Sequence, residues 1–197
     1  LVKSYVFYSK QDALNWIERG PTNVGGRTRA LVIDQDDVTG NTWFVGAATG
    51  GIWMTTNSGD TWINLSDQFT NLAVNALAIA ESNRNIIYAG TGEATYSGAS
   101  YYGRGLLKST DAGATWQHIT SGLPSSSYFS RIKIRPNHPS ELLAALGSGG
   151  LLRSTNYGVN WTTLLSGRCD DVVFTFTGDT AFAVGAGIGF RSSLDGG

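Results

Sequence analysis

One phrase recurs along this chain and limits its fold more than any other feature. Thr55-Thr56-Asn57-Ser58-Gly59-Asp60-Thr61-Trp62 is repeated as Ser109-Thr110-Asp111-Ala112-Gly113-Ala114-Thr115-Trp116 and as Ser154-Thr155-Asn156-Tyr157-Gly158-Val159-Asn160-Trp161. A weaker fourth copy, Ser192-Ser193-Leu194-Asp195-Gly196-Gly197, is aligned on Gly196 and so puts Leu194 at the acidic position. Each part has a physical reason. An Asp or Asn oxygen accepts from backbone N–H groups two residues on and closes an Asx-turn. Gly supplies the positive φ of a tight corner. Ser or Thr ends the incoming strand and bonds across the turn. Trp begins the outgoing strand and has a large apolar face to bury. The phrase therefore predicts a strand–turn–strand corner built around Asn57, Gly59 and Trp62, Asp111, Gly113 and Trp116, and Asn156, Gly158 and Trp161.

The corner glycines Gly59, Gly113, Gly158 and Gly196 are 54, 45 and 38 residues apart. Around them lie sets of four short alternating segments: 28–34, 42–48, 51–56 and 61–65; 73–80, 85–92, 105–109 and 115–119; 129–135, 141–146, 150–154 and 160–164. A fourth set, 171–177, 180–186 and 188–192, lacks its last strand. Such a period with four strands per unit predicts the blades of an all-β propeller. The second strand of each set has its own echo of small residues, such as Val45-Gly46-Ala47-Ala48 and Tyr88-Ala89-Gly90-Thr91, which suits close packing between blades. Residues 1–26 differ and read as a lead-in, with a strand over 4–8, a short helix over 11–19 and a Gly-Pro loop. Residues 27–197 are the blades. The fourth blade is expected to be truncated from a larger propeller; the alternative is a four-bladed closure using Tyr5 to Tyr8 as the absent strand.

In an antiparallel blade, the first–second and third–fourth turns share one end. All corners must then lie on one face of the disc. The opposite face carries the second–third loops, including the long insertion 93–103, and the links between blades.

Composition removes several function classes. Charged residues are 15% of the chain, against about 25% typically, and the net charge is −1, so no basic field points to nucleic acid. No apolar run approaches the roughly 18 residues of a membrane span. The single cysteine, Cys169, excludes an internal disulfide and has no base beside it. His118 and His138 lack ligand spacing. The segment 98–105 has Arg104 and Gly105 where a phosphate loop needs Lys and Ser/Thr, and Gly185-x-Gly187-x-Gly189 has no following helix for a dinucleotide. No cofactor and no metal is expected.

These repeats resemble the Asp-box (BNR) repeats of sialidase-like and sortilin-like propellers. A closer resemblance rests on the segment from Gly20 to Leu31, on Ala48-Thr49-Gly50-Gly51-Ile52-Trp53, on Gly90-Thr91-Gly92-Glu93 and on Tyr101-Tyr102-Gly103-Arg104-Gly105. It is to the N-terminal propeller of large secreted proteins of gliding bacteria. That resemblance implies a parent domain of about six to eight blades. It also implies a secreted or cell-surface location and export by a type IX pathway, through a C-terminal sorting region absent from this sequence.

Candidate site residues follow. The Asp-box oxygens are Asn in two copies, carry too few carboxylates for a calcium loop, and read as structural. The xyloglucan-degrading propellers carry a catalytic Asp in a Thr-Asp-x-Gly-Gly phrase; here Ala48 stands at that place. Hydrolysis usually needs two carboxylates about 5–10 Å apart, and Glu93 is the one evident acid on the insertion face. It reads as a lone acid or as a loop hydrogen-bonding residue. The sialidase pattern of three arginines has partial counterparts in Arg27, Arg29 and Arg131, read as structural braces. Tyr96, Tyr101 and Tyr102 offer flat faces with hydroxyl tips, suited to a sugar or a protein partner. The expected function is a binding or scaffold module recognising glycan or protein; the alternative is a glycoside hydrolase of sialidase-like or xyloglucanase-like type.

Overall fold

The computed structural model describes residues 17–19, 27–69, 72–93, 101–126 and 128–197. The strand expected over 4–8, most of the helix expected over 11–19, and Tyr96 lie outside the described residues. The described elements are all strands. Blade 1 holds β1 (Thr28–Ile33), β2 (Trp43–Ala47), β3 (Gly51–Thr55) and β4 (Ile63–Asn64). Blade 2 holds β5 (Val74–Ala80), β6 (Asn83–Thr91), β7 (Leu106–Ser109) and β8 (Gln117–Ile119). Blade 3 holds β9 (Arg131–Arg135), β10 (His138–Ala145), β11 (Leu151–Ser154) and β12 (Thr162–Leu165). The fourth sheet holds β13 (Asp171–Phe174), β14 (Ala181–Gly185) and β15 (Gly189–Ser193). Every sheet is an antiparallel meander with strands in chain order.

Alternation along the strands gives each sheet two apolar faces, and these stack between blades. Phe44 and Ile52 of blade 1 pack on Val74, Leu77 and Ile87 of blade 2. Ala76, Tyr88 and Leu106 on the other face of blade 2 meet Ile132, Leu142 and Leu152 of blade 3. Leu143, Ala145 and Leu151 then meet Val172, Ala181 and Ala183. The small residues of the second strands permit this approach. A Cβ on Gly46 would sit 2.6 Å from the Val74 methyl, and one on Gly90 would collide with the Phe129 side chain. The core therefore lies between sheets, as layers, and the first strands β1, β5, β9 and β13 lie side by side at its inner edge.

The corners repeat atom for atom. Thr55 Oγ1 donates to Asn57 Oδ1 (2.9 Å) and accepts from the Gly59 N–H (2.9 Å), while the Thr61 N–H donates to Asn57 Oδ1 (2.9 Å). Ser109, Asp111, Gly113 and Thr115 form the same set at 2.8 Å each, as do Ser154, Asn156, Gly158 and Asn160 at 3.1, 2.9 and 2.9 Å. The Asx oxygen thus reaches four residues forward, not two, because the corner needs two consecutive left-handed residues: Ser58 and Gly59, Ala112 and Gly113, Tyr157 and Gly158. The first of each pair donates its N–H to a carbonyl at or near the start of the second strand, at Asn41, Asn85 and Ser140. This ties the corner back to its own blade.

The same bonds correct the alignment of the fourth copy. Ser193 Oγ donates to Asp195, the Gly197 N–H donates to Ser193 Oγ (2.9 Å), and the Gly196 N–H donates to Asp179 O (2.8 Å). Asp195 is therefore the acidic residue and Gly197 the corner glycine; Leu194 is a spacer.

The tryptophans also differ from expectation. They precede strands β4, β8 and β12 and are half-buried. Trp116 packs on the layer between blades 1 and 2, and Trp161 on that between blades 2 and 3. The indole N–H of Trp161 turns back to Gly158 O (2.8 Å), and that of Trp62 to Gly59 O (3.1 Å) and Arg19 O (2.8 Å). Trp116 and Trp161 thus cover the blade seams while remaining partly exposed.

Candidate functional site

The inner ends of the first strands open on the insertion face, and there the repeat breaks down into individual side chains. Two β-bulges start the departure. The pairing of β1 with β2 shifts between Thr28 and Ala30, and that of β5 with β6 shifts between Val74 and Ala76. The extra residues are Arg29 and Asn75. A bulge re-aims its side chain, and these two meet: Arg29 Nε donates to Asn75 Oδ1 (3.1 Å), and Asn75 Nδ2 donates to Phe129 O (2.8 Å). The inner ends of three blades are joined by these two bonds.

Glu93 lies beside this pair. Its backbone bridges to Tyr101, with the Glu93 N–H donating to Tyr101 O (2.8 Å), which pins the base of the insertion. Its side chain is 0% exposed. Arg27 grips it with a fork: Nε donates to Oε1 (3.1 Å) and Nη2 to Oε2 (2.6 Å). Arg29 Nε lies 3.5 Å from Oε1. A buried carboxylate is tolerated only when paired in this way. The hydrogen bond and charge of Glu93 raise the Arg27 pKa above its ordinary value. Further round the mouth, Arg131 Nε donates to Asp171 Oδ1 (2.8 Å) and Arg168 Nε to Asp170 Oδ1 (2.7 Å).

Glu93 is thus an interior carboxylate with both oxygens engaged by arginine. A general acid must release or gain a proton at a reacting oxygen; both oxygens of Glu93 face arginine. Ala48 is buried, and its N–H donates to Arg27 O (2.8 Å). Arg27, Arg29 and Arg131 do reach one mouth, each on a carboxylate.

Two of the three sequence-selected tyrosines are described. Tyr101 is 53% and Tyr102 68% exposed. Tyr102 stacks on Tyr128 with ring centroids 6.4 Å apart and planes at 21°. Tyr128 is buried, and a Cβ on Gly92 would meet its Cβ at 2.6 Å. The Tyr102 ring is therefore mounted on a fixed partner with its far side in water. The Tyr101 side chain is near enough to Arg27 to act on it electrostatically.

Elsewhere the chemistry is quiet. Cys169 is buried, and burial pushes its thiol up to about 11. Among the described residues no three His, Cys, Asp or Glu side chains gather as a metal site, and no helix is long and apolar enough to cross a membrane. Sequence reasoning missed Asn75 and the pairing of Arg27 with Glu93, because bulge positions leave no periodic signature.

Solved structures with the same arrangement of blades settle the architecture. The GH74 xyloglucanase from Xanthomonas campestris superimposes with a TM-score of 0.69 at 19% identity, over 87% of this chain and 28% of that one. The fold is a β-propeller. The Niastella koreensis GH74 enzyme gives 0.67 at 23% identity, over 88% and 29% of the two chains. YCF48 from Cyanidioschyzon merolae gives 0.58 at 16%, over 91% and 56%. The propeller chain described here thus spans less than a third of the GH74 proteins and just over half of YCF48. No family model matches the sequence, and no curated protein matches it either.

Proposed function

We propose that this propeller segment is a recognition module that binds a glycan or a protein surface through its insertion face. The observation that carries the reading is the pair Tyr101 and Tyr102, exposed beside the arginine-clamped Glu93. Exposed tyrosines on a rigid base contribute contact area at small entropic cost. The corner chemistry supports placing the chain with Asp-box (BNR, sortilin-like) propellers. The sequence resemblance supports a secreted or cell-surface protein of gliding bacteria, exported by a type IX route that reads a C-terminal region. A glycoside hydrolase is the second reading, favoured by the xyloglucanase among the structural neighbours. Ala48 and the engaged Glu93 weigh against it.

The test separates the two. Tyr101→Ala and Tyr102→Ala should weaken binding to a panel of immobilised plant and bacterial polysaccharides. Surface changes of this kind leave stability within about 0.5 kcal/mol, so the melting temperature should hold. Release of reducing sugar from xyloglucan by the protein, abolished by Glu93→Gln, would reject the binding-module reading.

A further inference from the structure

The seam between blades 2 and 3 departs from its neighbours at one place near the corners. Strand register pairs Phe44 with Met54 in blade 1, Tyr88 with Lys108 in blade 2 and Leu143 with Arg153 in blade 3. The three pairs occupy one structural position. A Cβ on the corner glycine of the next sheet would lie 3.6 Å from the Phe44 ring at Gly113, 3.6 Å from the Tyr88 ring at Gly158 and 3.1 Å from a Leu143 methyl at Gly197. In blade 1 the pair is apolar. In blade 3 the cation is answered: Arg153 Nη2 donates to Glu141 Oε2 (2.9 Å). The place of Glu141, two residues before the paired position, is held in blade 2 by Ile86. Lys108 is half-buried and has no carboxylate partner among the described residues.

Two phenols gather there instead. The Tyr88 side chain is fully buried, and its hydroxyl has no hydrogen-bond partner among the described residues. Tyr157, 39% exposed, stands in the blade 3 corner at φ 60°. Ser58 and Ala112 hold that place in the other two corners, and a bulky side chain suits the left-handed conformation least. Lys108 Nζ lies 5.9 Å from the Tyr88 ring centroid and 4.9 Å from that of Tyr157. Burial, and after it the Tyr157 phenol, raise the Tyr88 pKa above its ordinary value, which makes the two phenols electrostatic neighbours. A buried hydroxyl without a partner and a half-buried cation without a counter-ion each lower stability. Here they stand together.

We propose that Tyr88, Lys108 and Tyr157 form a binding site for a small oxyanion, set between blades 2 and 3 and independent of the insertion face. An ammonium only donates, and each phenol has an O–H to give. The three groups supply one positive charge and directed donors, with no carboxylate to compete. An oxyanion answers the Tyr88 hydroxyl and the Lys108 charge at once, through charge-assisted hydrogen bonds. Its size is limited, because Tyr88 lies wholly inside the seam. A neutral ligand would leave the Lys108 charge unanswered. Held across the seam, the anion ties blade 2 to the corner of blade 3.

The experiment titrates the full chain with sodium phosphate and, separately, with sodium acetate, at an ionic strength held constant with sodium chloride, and follows backbone and side-chain NMR signals. At least one anion should give saturable shifts centred on Tyr88, Lys108 and Tyr157. Tighter phosphate binding assigns a tetrahedral ligand, and tighter acetate binding a carboxylate. Lys108→Met and Tyr88→Phe should each weaken binding about tenfold, the scale of one hydrogen bond to a charged group. The fold already accepts such side chains at this position, as Met54 and Phe44. Without anion, Tyr88→Phe should keep or raise the melting temperature, because it removes the unpartnered hydroxyl. A tyrosine that only packs would not lose anion binding while keeping its stability. If either variant folds poorly, Tyr157→Ala decides by the same titration, since Ala112 holds the equivalent place in blade 2: binding should weaken severalfold. Lys133→Met should leave binding unchanged. Shifts that never saturate, saturable binding that survives Lys108→Met and Tyr88→Phe, or an equal loss in Lys133→Met overturns the proposal.

Discussion

The two faces of the disc are built from the same strands and obey different rules. On the corner face, three blades carry the same hydrogen bonds to within a few tenths of an ångström, and the fourth sheet repeats its Ser193–Gly197 part. On the insertion face, the side chains differ from blade to blade even where blades 1 and 2 share a bulge. Blade 1 contributes Arg27 and Arg29, blade 2 contributes Asn75, Glu93 and Tyr101, and blade 3 contributes Arg131. Repetition is what a scaffold needs, because each blade must pack on the next by the same geometry. A ligand site needs the opposite, a set of side chains that occurs once. Departure from the repeat is therefore the better guide to function than the repeat itself.

Three perturbations would break or sharpen this contrast. The largest effect should come from Trp161→Ala. Half-burial on the seam between blades 2 and 3 gives the ring a packing role, and truncating it should destabilise the protein by about 3 kcal/mol in chemical denaturation. A loss well under 1 kcal/mol would mean that the corner tryptophans do not hold the blades together. Ser109→Ala comes next. Ser109 is 1% exposed, and its hydroxyl satisfies the buried Gly113 N–H. Leaving that donor unpaired should cost about 1–3 kcal/mol, with ligand binding unchanged.

The smallest effect separates one corner from its siblings. Hydrogen bonds from Thr115 and Ser109 hold the Asp111 carboxyl below its ordinary pKa, whereas Asn57 and Asn156 do not titrate. A carboxyl with a depressed folded pKa adds stability that is complete above its unfolded value, near 3.9, and is lost as pH falls through the folded value. The stability difference between wild type and Asp111→Asn should thus stay flat from pH 7 to about 5 and decline below about 4. A decline centred near neutral pH would show that another group controls this corner.

What was legible in the sequence follows the same division. The corners were legible because Asn57, Asp111 and Asn156 are short-range devices whose partners lie within four residues. The strands were legible because alternation is local, and each observed strand begins and ends within a few residues of its expected position. The fourth corner was misaligned because Gly196 and Gly197 are both glycines, and only the bond from Gly197 to Ser193 distinguishes them. The site was legible in part. Glu93, Tyr101 and Tyr102 announced themselves by lying in a loop that the repeat does not require. Their relation to Arg27, 66 residues from Glu93, did not, since it depends on how blade 1 meets blade 2. Asn75 looked like an ordinary strand residue until a bulge turned it inward.

Amide hydrogen exchange with and without bound glycan tests the division of labour between the faces most directly. With a polysaccharide of the binding panel present, protection should rise at Arg27 to Arg29 and at Glu93, Tyr101 and Tyr102, and stay unchanged at Ser58, Ala112 and Tyr157 in the corners. Protection confined to the corner amides, with the insertion face unaltered, would contradict the account and move recognition to the opposite side of the disc.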